Sequence, residues 1–379
     1  MTYLDHGATS FPKPGPVVDA MVCALENCAN PGRGGYRPAM HAARVLLRCR
    51  ERAAELFDCQ AEQAVLTGSC THGLNMAIGT LVKPGSRVVI SGFEHNAVVR
   101  PLHACGARIT VAGRKLFDRE DTLTAFEQAL RGGVEAAVFT HVSNVFGYIL
   151  PVEDMAALCR KYRVPFAVDC AQSAGMLPVS LEKWGADFIA MPGHKGLLGP
   201  QGTGLLLCRN PPRPLLHGGT GSRSKDRQMP DFLPDAGEAG TLNVPGFAGL
   251  CAGMEQVQKL GPERILSRER KEMRRFAKRV EKLGYRVFCG EDQSGTVSFV
   301  PDCDPEVLAR YLAGQGIAVR AGFHCAPLAH ESAGTWDTGT VRVSFGHDAA
   351  PWQTGNILFA LEKFHQKPRG NAGKNPLEL

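Results

Sequence analysis

Between Glu62 and Cys208 the chain carries seven short runs that are apolar almost throughout: 64–67, 87–91, 107–111, 136–140, 166–169, 188–191 and 204–207. A strand with one wet face alternates apolar and polar residues, whereas a strand buried on both faces does not. These runs therefore predict strands of a sheet covered on both sides. Helix-period segments lie between them, among them 123–131 and 152–162. The second opens after Pro151, ends on Arg160 and Lys161, and stops before Pro165, which are ordinary start and stop signals. The alternation predicts an α/β fold with a mainly parallel seven-stranded sheet.

The rest of the chain reads differently. Arg209–Gly240 is rich in Pro, Gly, Ser and Asp and predicts a long irregular connection, a feature uncommon unless functional. A helical stretch runs over 246–283 with a break at Gly261-Pro262. Strands at 286–288, 296–300, 318–320 and 341–345 and helices at 305–313 and 351–365 follow. With 379 residues, two domains are expected: a large one over 15–245, and a smaller α+β one made by 1–14 with 246–379, ending in a frayed tail from about Gln366. The basic stretch 264–282 reads as a solvated helix face. Glu269, Glu272 and Glu281 interleave its charges, and Ile265, Met273, Phe276 and Val280 mark a buried side.

Charge and cysteine content narrow the function classes. A net charge of +6 is too modest to argue for a nucleic-acid partner. The 13 cysteines are odd in number and include no C-x-x-C pair, so reduced thiols are expected rather than a zinc ribbon or a disulfide framework. No apolar run reaches the ~18 residues of a membrane span. The first residues, MTYLDHGATS, lack the basic and apolar regions of a secretory signal. A cytoplasmic protein is the expectation.

The chemistry is expected at strand ends. Ala190–Gly204 (AMPGHKGLLGPQGTG) runs from an apolar strand into a loop with His194, Lys195 and five glycines. It is not a P-loop, because the lysine comes too early and no Ser or Thr follows it. A lysine there can be desolvated and form a Schiff base; alone, it reads equally as a loop lysine. Thr67–Asn75 (TGSCTHGLN) passes from strand to helix with small residues at 69–71, leaving backbone N–H groups for a phosphate. Asp169 ends a buried strand and needs a partner, either a turn N–H or a protonated pyridine nitrogen. His95 and Asn144 follow two further strands. Ligands of open α/β sheets collect at the carboxyl ends of strands. A phosphate cradle, a flat ring, a carboxylate and a lysine suit pyridoxal 5′-phosphate better than a dinucleotide, for which no G-x-G-x-x-G is present.

These segments resemble the class V aminotransferase family of fold-type I pyridoxal-phosphate enzymes, and within it the cysteine desulfurase and selenocysteine lyase group. The resemblance spans nearly the whole chain. Tyr3–Ala8 (YLDHGA), Phe93–Val98 (FEHNAV), His141–Gly147 (HVSNVFG), Val168–Ser173 (VDCAQS), Pro192–Gly204, Glu238–Asn243 (EAGTLN), Gly322–Leu328 (GFHCAPL) and Thr340–Ser344 (TVRVS) stand in the family's order. The resemblance implies that Lys195 carries the cofactor and moves the Cα proton, Asp169 pairs with the ring nitrogen, and His95 stacks on the ring. Gln172 and Asn144 approach its oxygen. Ser69, Cys70, Thr71 and His194 hold the phosphate, joined by Thr241 of a second subunit, so a homodimer is implied. Arg342 takes the substrate carboxylate, with Asn144 near the substrate. The resemblance also implies that Cys325, made reactive near His324, receives sulfur as a persulfide from L-cysteine and passes it to an acceptor protein or small thiol, with L-selenocysteine as the substrate in the selenocysteine lyase alternative.

The sequence departs from the family pattern at Pro192, where serine is usual, at Ala236-Gly237, at Cys70, and after Ser344, where FGHDAA replaces an Asn-Thr pair. Selenocysteine lyase, another class V lyase, epimerase or aminotransferase, and a cofactor-binding scaffold without turnover are the alternatives. No metal is expected.

Overall fold

A computed structural model describes residues 1–32 and 34–366, so the expected frayed tail beyond Gln366 lies outside the described residues. Strand β1 (Thr2–Tyr3) is followed by α1 (Gly15–Asn27) and α2 (Arg37–Phe57). Then strands and helices alternate: β2 (Ala64–Thr67), α3 (Cys70–Leu81), β3 (Arg87–Ser91), α4 (Asn96–Ala104), β4 (Arg108–Ala112) and α5 (Arg119–Arg131). β5 (Ala136–Thr140), α6 (Val152–Tyr162), β6 (Phe166–Asp169), α7 (Leu181–Trp184), β7 (Phe188–Pro192) and β8 (Gly204–Cys208) continue the pattern.

These seven strands form one sheet in the order β2-β8-β7-β6-β5-β3-β4. β4, β3, β5, β6 and β7 run parallel, and β8 is antiparallel to both β7 and β2. Successive strand residues point to opposite faces. Leu66, Val89, Phe139, Val168, Ile189 and Leu207 pack in one cluster with α2, α5, α6 and residues of α8 (Val244–Leu260). Val65, Val88, Ile90, Val138, Ala167 and Leu206 pack in another with residues of α3 and α4. Both faces are dry, which is why the strands read as unbroken apolar runs. α5 begins where Asp118 accepts a hydrogen bond from the Asp121 N–H at 2.8 Å, an N-cap that satisfies one of the helix's unpaired donors.

The irregular connection over 209–240 holds one short 3₁₀ turn at Asp235–Gly237. After α8, Gly261 at φ +81° separates it from α9 (Pro262–Lys282), where the break was expected. The remaining elements are β9 (Arg286–Phe288), β10 (Thr296–Val300), α10 (Pro305–Gly314), β11 (Ile317–Ala318), β12 (Arg320–Gly322), α11 (Pro327–Ala333), β13 (Thr340–Ser344) and α12 (Pro351–His365). A four-stranded antiparallel sheet runs β12-β13-β10-β9, with its own core around Met273, Phe276, Phe299, Leu308 and Val343.

Two expectations need correction. The single strand at 318–320 is two strands: β11 pairs parallel with β1, and β12 pairs antiparallel with β13. The chain changes sheets at Val319, and so short a run carries no period to reveal the change. On α9, Ile265, Met273, Phe276 and Val280 are buried as expected, but Glu269 and Glu272 are buried too. Glu272 is satisfied by the Thr354 hydroxyl at 2.6 Å, and burial pushes the Glu269 carboxyl up to about 8. The buried stripe of α9 is thus wider than its apolar residues indicate.

Candidate active site at the strand ends

Lys195 lies three residues beyond β7, half-buried, and its Nζ makes no hydrogen bond among the described residues. The loop is held by its peptide links. The carbonyl of His194 accepts from Ser10 N–H at 3.0 Å, the Thr9 and Ser10 hydroxyls at 3.0 Å each, and Lys13 Nζ at 2.8 Å. A side chain at Gly193 would strike Thr203 Oγ1 at 2.2 Å, and one at Gly196 the carbonyl of Ala174 at 2.3 Å, so the glycines permit this close packing. Burial lowers the pKa of Lys195, against the pull of the nearby Asp169 carboxylate. A lysine in this state is closer to its neutral, nucleophilic form.

Asp169 ends β6, 2% exposed. Its Oδ1 accepts from the Ala171 N–H at 2.8 Å and meets Cys70 Sγ at 3.5 Å. Its hydrogen-bond partners include no cation, although a buried carboxylate normally needs one. Beside it, Cys70 opens α3, and burial followed by the Asp169 charge raises its thiol well above the ordinary range, so it is not a nucleophile. Ser69 caps α3 by accepting the His72 N–H at 3.1 Å; Thr71 is exposed, and a side chain at Gly68 would meet only the His72 ring, at 4.0 Å. The space in front of this helix end is open.

His95 caps α4, with Nδ1 accepting the Ala97 N–H at 3.0 Å. That bond puts the ring proton on Nε2, and burial lowers the ring's pKa against the pull of Asp169. The imidazole is a neutral flat surface. Beneath it, buried Glu94 accepts the Thr140 N–H at 2.9 Å and the Ser91 hydroxyl, and burial pushes its carboxyl up to about 8. Glu94 so ties the ends of β3 and β5 together. Asn144 Nδ2 donates to the carbonyl of His324 at 2.7 Å, while its buried Oδ1 has no partner. Gln172 Nε2 donates to the carbonyl of Gly7 at 2.9 Å.

The other wall comes from the small sheet and the N-terminal segment. Arg342 is 2% exposed; its Nη2 reaches Asp5 Oδ1 at 2.7 Å and its Nη1 the carbonyl of Asn144 at 3.0 Å, leaving Nε without a partner. Arg320 sits opposite Arg342 in the β12–β13 register and binds Asp5 Oδ2 through Nη2 at 2.9 Å. Two like charges facing each other across strands repel, so Asp5 holds the pair together. Cys325 is exposed, and both it and His324 have positive φ, +56° and +49°. Backbone bonds hold this unusual turn: Asn96 N–H donates to the Cys325 carbonyl at 2.8 Å. The expectation that His324 helps ionise Cys325 needs correction. Its ring is buried against Thr340 Oγ1 at 3.1 Å, and burial lowers its pKa well below the ordinary value, so it carries no positive charge. Arg320 lies within electrostatic reach of Cys325.

Lys195, Asp169, Cys70, His95 and Arg342 thus form one electrostatically linked group, and Asn144 joins it to the Cys325 turn. Thr241 is exposed, away from these contacts. Its segment is anchored by Glu238, which takes Arg50 through two bonds of 2.7 and 2.6 Å and the Leu66 N–H at 2.6 Å. Asp5, Arg320, Glu94 and the Arg50–Glu238 pair escaped sequence reading. Asp5 lay in a recognised segment, yet nothing local marks it as the partner of arginines more than three hundred residues away.

The sequence pattern of the class-V aminotransferases (Aminotransferase class-V) matches residues 2–351. The chain belongs to this family. A probable cysteine desulfurase of Methanothermobacter thermautotrophicus is 33% identical over 358 residues, covering 90% of this chain and 89% of that protein. Another, from Pyrococcus abyssi, is 32% identical with the same coverage. The apo structure of a cysteine desulfurase from Thermococcus onnurineus NA1 superposes with a TM-score of 0.88 at 31% identity, over 96% of this chain and 94% of that one. The cysteine desulfurase CsdA of Escherichia coli, with an S-sulfonic acid, gives 0.84 at 25% identity over the same shares. The fold class expected from the sequence is the fold of these enzymes. No described helix is long and apolar enough to cross a membrane.

Proposed function

We propose that the chain is a pyridoxal-phosphate-dependent cysteine desulfurase that converts L-cysteine to L-alanine and keeps the sulfur on Cys325 as a persulfide. The observation that carries this reading is an exposed cysteine on a rigid left-handed turn, tied through Asn144 to the buried arginine of the same cleft. A passive core thiol would be buried; Cys70, Cys159, Cys170 and Cys208 are.

The residues fit the cofactor. Asp169 is a buried carboxylate whose hydrogen-bond partners include no cation, as a protonated pyridine nitrogen requires. His95 offers a neutral ring face, and the start of α3 offers Ser69, Cys70 and Thr71 beside open space for a phosphate. The family resemblance adds His194, whose ring meets the Thr9 hydroxyl at 3.1 Å, and Thr241 of a second subunit as further phosphate partners. Bound there, pyridoxal phosphate supplies an aldehyde for the substrate nitrogen and a cationic ring that draws electrons from Cα. Lys195 Nζ, its pKa lowered by burial, takes up and returns the Cα proton. Arg342 orients the substrate carboxylate, and Asp5 and the Asn144 carbonyl fix the guanidinium for that task. Gln172 holds Gly7, whose backbone packs against the Arg342 guanidinium. Exposure then lets Cys325 pass sulfur to an acceptor protein or a small thiol.

A homodimer is supported by apolar residues left exposed on α1 (Val18, Val22, Leu25) and on and before α2 (Tyr36, Met40, Leu47). Thirteen free cysteines support a reducing, cytoplasm-like setting. Residues 15–245, and 1–14 with 246–379, are proposed as the two domains. This division is amended at one point: α8 packs on α1 and α2 and shares the large core, so the boundary after 245 moves to Gly261.

The test is incubation with L-cysteine and a reductant, following alanine and sulfide. Wild type releases both, and Cys325→Ala forms no protein persulfide detectable by mass spectrometry. Equal alanine release by the variant refutes the role of Cys325. A kcat/KM for L-selenocysteine above that for L-cysteine moves the assignment to a selenocysteine lyase.

A further inference from the structure

The geometry points to a binding site for a divalent first-row transition metal, of the zinc and cobalt class, formed by His6, His347 and Asp348. The site lies at one end of a cavity that Lys195 and Gln172 also line. It does not depend on the desulfurase reading, and its test does not use that activity.

The three residues come from opposite ends of the chain. His6 follows β1, and His347 and Asp348 follow β13. Backbone bonds bring them together: Ser344 N–H donates to the Leu4 carbonyl at 2.8 Å, and His6 N–H to the Ser344 carbonyl at 3.3 Å. One ligand atom from each residue lies within 4.8 Å of the other two, and His6 Nε2 stands 3.5 Å from Asp348 Oδ1.

His6 itself signals an absent partner. It is 8% exposed, yet neither ring nitrogen makes a hydrogen bond, and the Nδ1 of His347 makes none. Buried polar atoms in folded proteins are nearly always satisfied. A metal ion takes the imidazole lone pair directly. Gly346 is built for the approach, since a side chain there would collide with the His6 ring at 2.2 Å. The ring is otherwise wedged edge-on against Tyr3, with centroids 5.0 Å apart.

The donor set selects the class of ion. Two imidazoles and one carboxylate suit Zn²⁺, Co²⁺, Ni²⁺ or Fe²⁺, whereas Mg²⁺ and Ca²⁺ prefer all-oxygen shells. Bonds of about 2.0–2.2 Å require the ligand atoms to draw closer than 4.8 Å. Asp348 is exposed and His347 half-buried, so these two close on the fixed His6. Three protein ligands leave a position open towards the cavity, where the Glu269 carboxyl also lies. Lys13 and Arg268 are the opposing charges nearby. Both are engaged: Lys13 with Ser10 and His194, and Arg268 with the His347 carbonyl at 3.2 Å. A bound ion would clamp the N-terminal segment to the loop after β13, one residue from Gly7.

The experiment is a Co²⁺ titration of the chelator-treated holoenzyme, followed by visible absorption and competed with Zn²⁺, Mg²⁺ and Ca²⁺. One equivalent is expected to bind with d–d bands and without the intense near-ultraviolet charge transfer of thiolate ligation. Zn²⁺ displaces it; Mg²⁺ and Ca²⁺ do not. His347→Gln and Asp348→Asn, both on a surface loop, each weaken binding at least about tenfold, with melting temperatures in chelator unchanged. The proposal is overturned if the double variant binds Co²⁺ with wild-type affinity and stoichiometry, or if the bound ion has only a thiolate spectrum.

Discussion

At the edge of the seven-stranded sheet, Ser69, His95, Asn144, Asp169, Gln172 and Lys195 each sit at, or within four residues of, a strand end. On the facing wall, Asp5, Arg320, Cys325 and Arg342 come from the N-terminal segment and from the small sheet with its following turn. The first group is placed by the sheet, so each residue inherits its position from one strand. The second group is placed by mutual contacts, with Asp5 between two arginines and the Cys325 turn hung on Asn144 and Asn96. A sheet-end residue with no bond across the cleft, such as Lys195, is therefore replaceable without disturbing its neighbours. A residue of the facing wall is not.

The largest effect is expected from Lys195→Ala. Alanine release from L-cysteine should fall about 10³-fold or more, since positioned proton transfer alone contributes ~10²–10⁴, while circular dichroism stays unchanged. Activity within tenfold of wild type would break the assignment. Across the cleft, Asp5→Asn leaves Arg342 buried without its counter-charge. A loss of about 3–5 kcal/mol in urea unfolding is expected. Glu238→Gln at the large sheet strands Arg50 in the same way, so it should cost a similar amount but leave KM for L-cysteine unaltered. If the two variants raise KM equally, the contrast between the walls fails.

Arg342→Lys should lower kcat/KM by about 10–100-fold, mainly through KM. A point charge replaces a fork whose charge-assisted bonds are each worth ~1.5–3 kcal/mol. The smallest effect is a pH slope. The folded-state pKa of Glu94 is raised to about 8, above its unfolded value, so the folded protein holds this proton where the unfolded chain has released it. Stability from this group is present at low pH and is lost as pH rises from ~4.5 towards 8. Glu94→Gln should flatten that part of the stability profile, measured by urea midpoints across the range. An unchanged slope would show that Glu94 is not the group responsible.

The sheet was legible because its physics is local. Burial on both faces demands continuous apolar runs, and the runs at 64–67, 87–91, 136–140 and 166–169 coincide with β2, β3, β5 and β6. The candidate site residues at those strand ends were legible for the same reason. The split at Val319 was not, because two- and three-residue strands carry no periodicity. Glu269 and Glu272 misled because charge predicts exposure only when no partner or neutral form is available inside.

By itself, the sequence determined the α/β architecture and the order of the site segments, and it pointed to Lys195, Asp169, Arg342 and Cys325 as candidate site residues. Only the tertiary structure decided what surrounds them. It put Asp5 between Arg320 and Arg342, turned His324 away as a neutral ring, and set His6 beside His347 and Asp348. Burial, charge pairing and pKa depend on neighbours in space, and the two arginines that Asp5 pairs with are more than three hundred residues away along the chain.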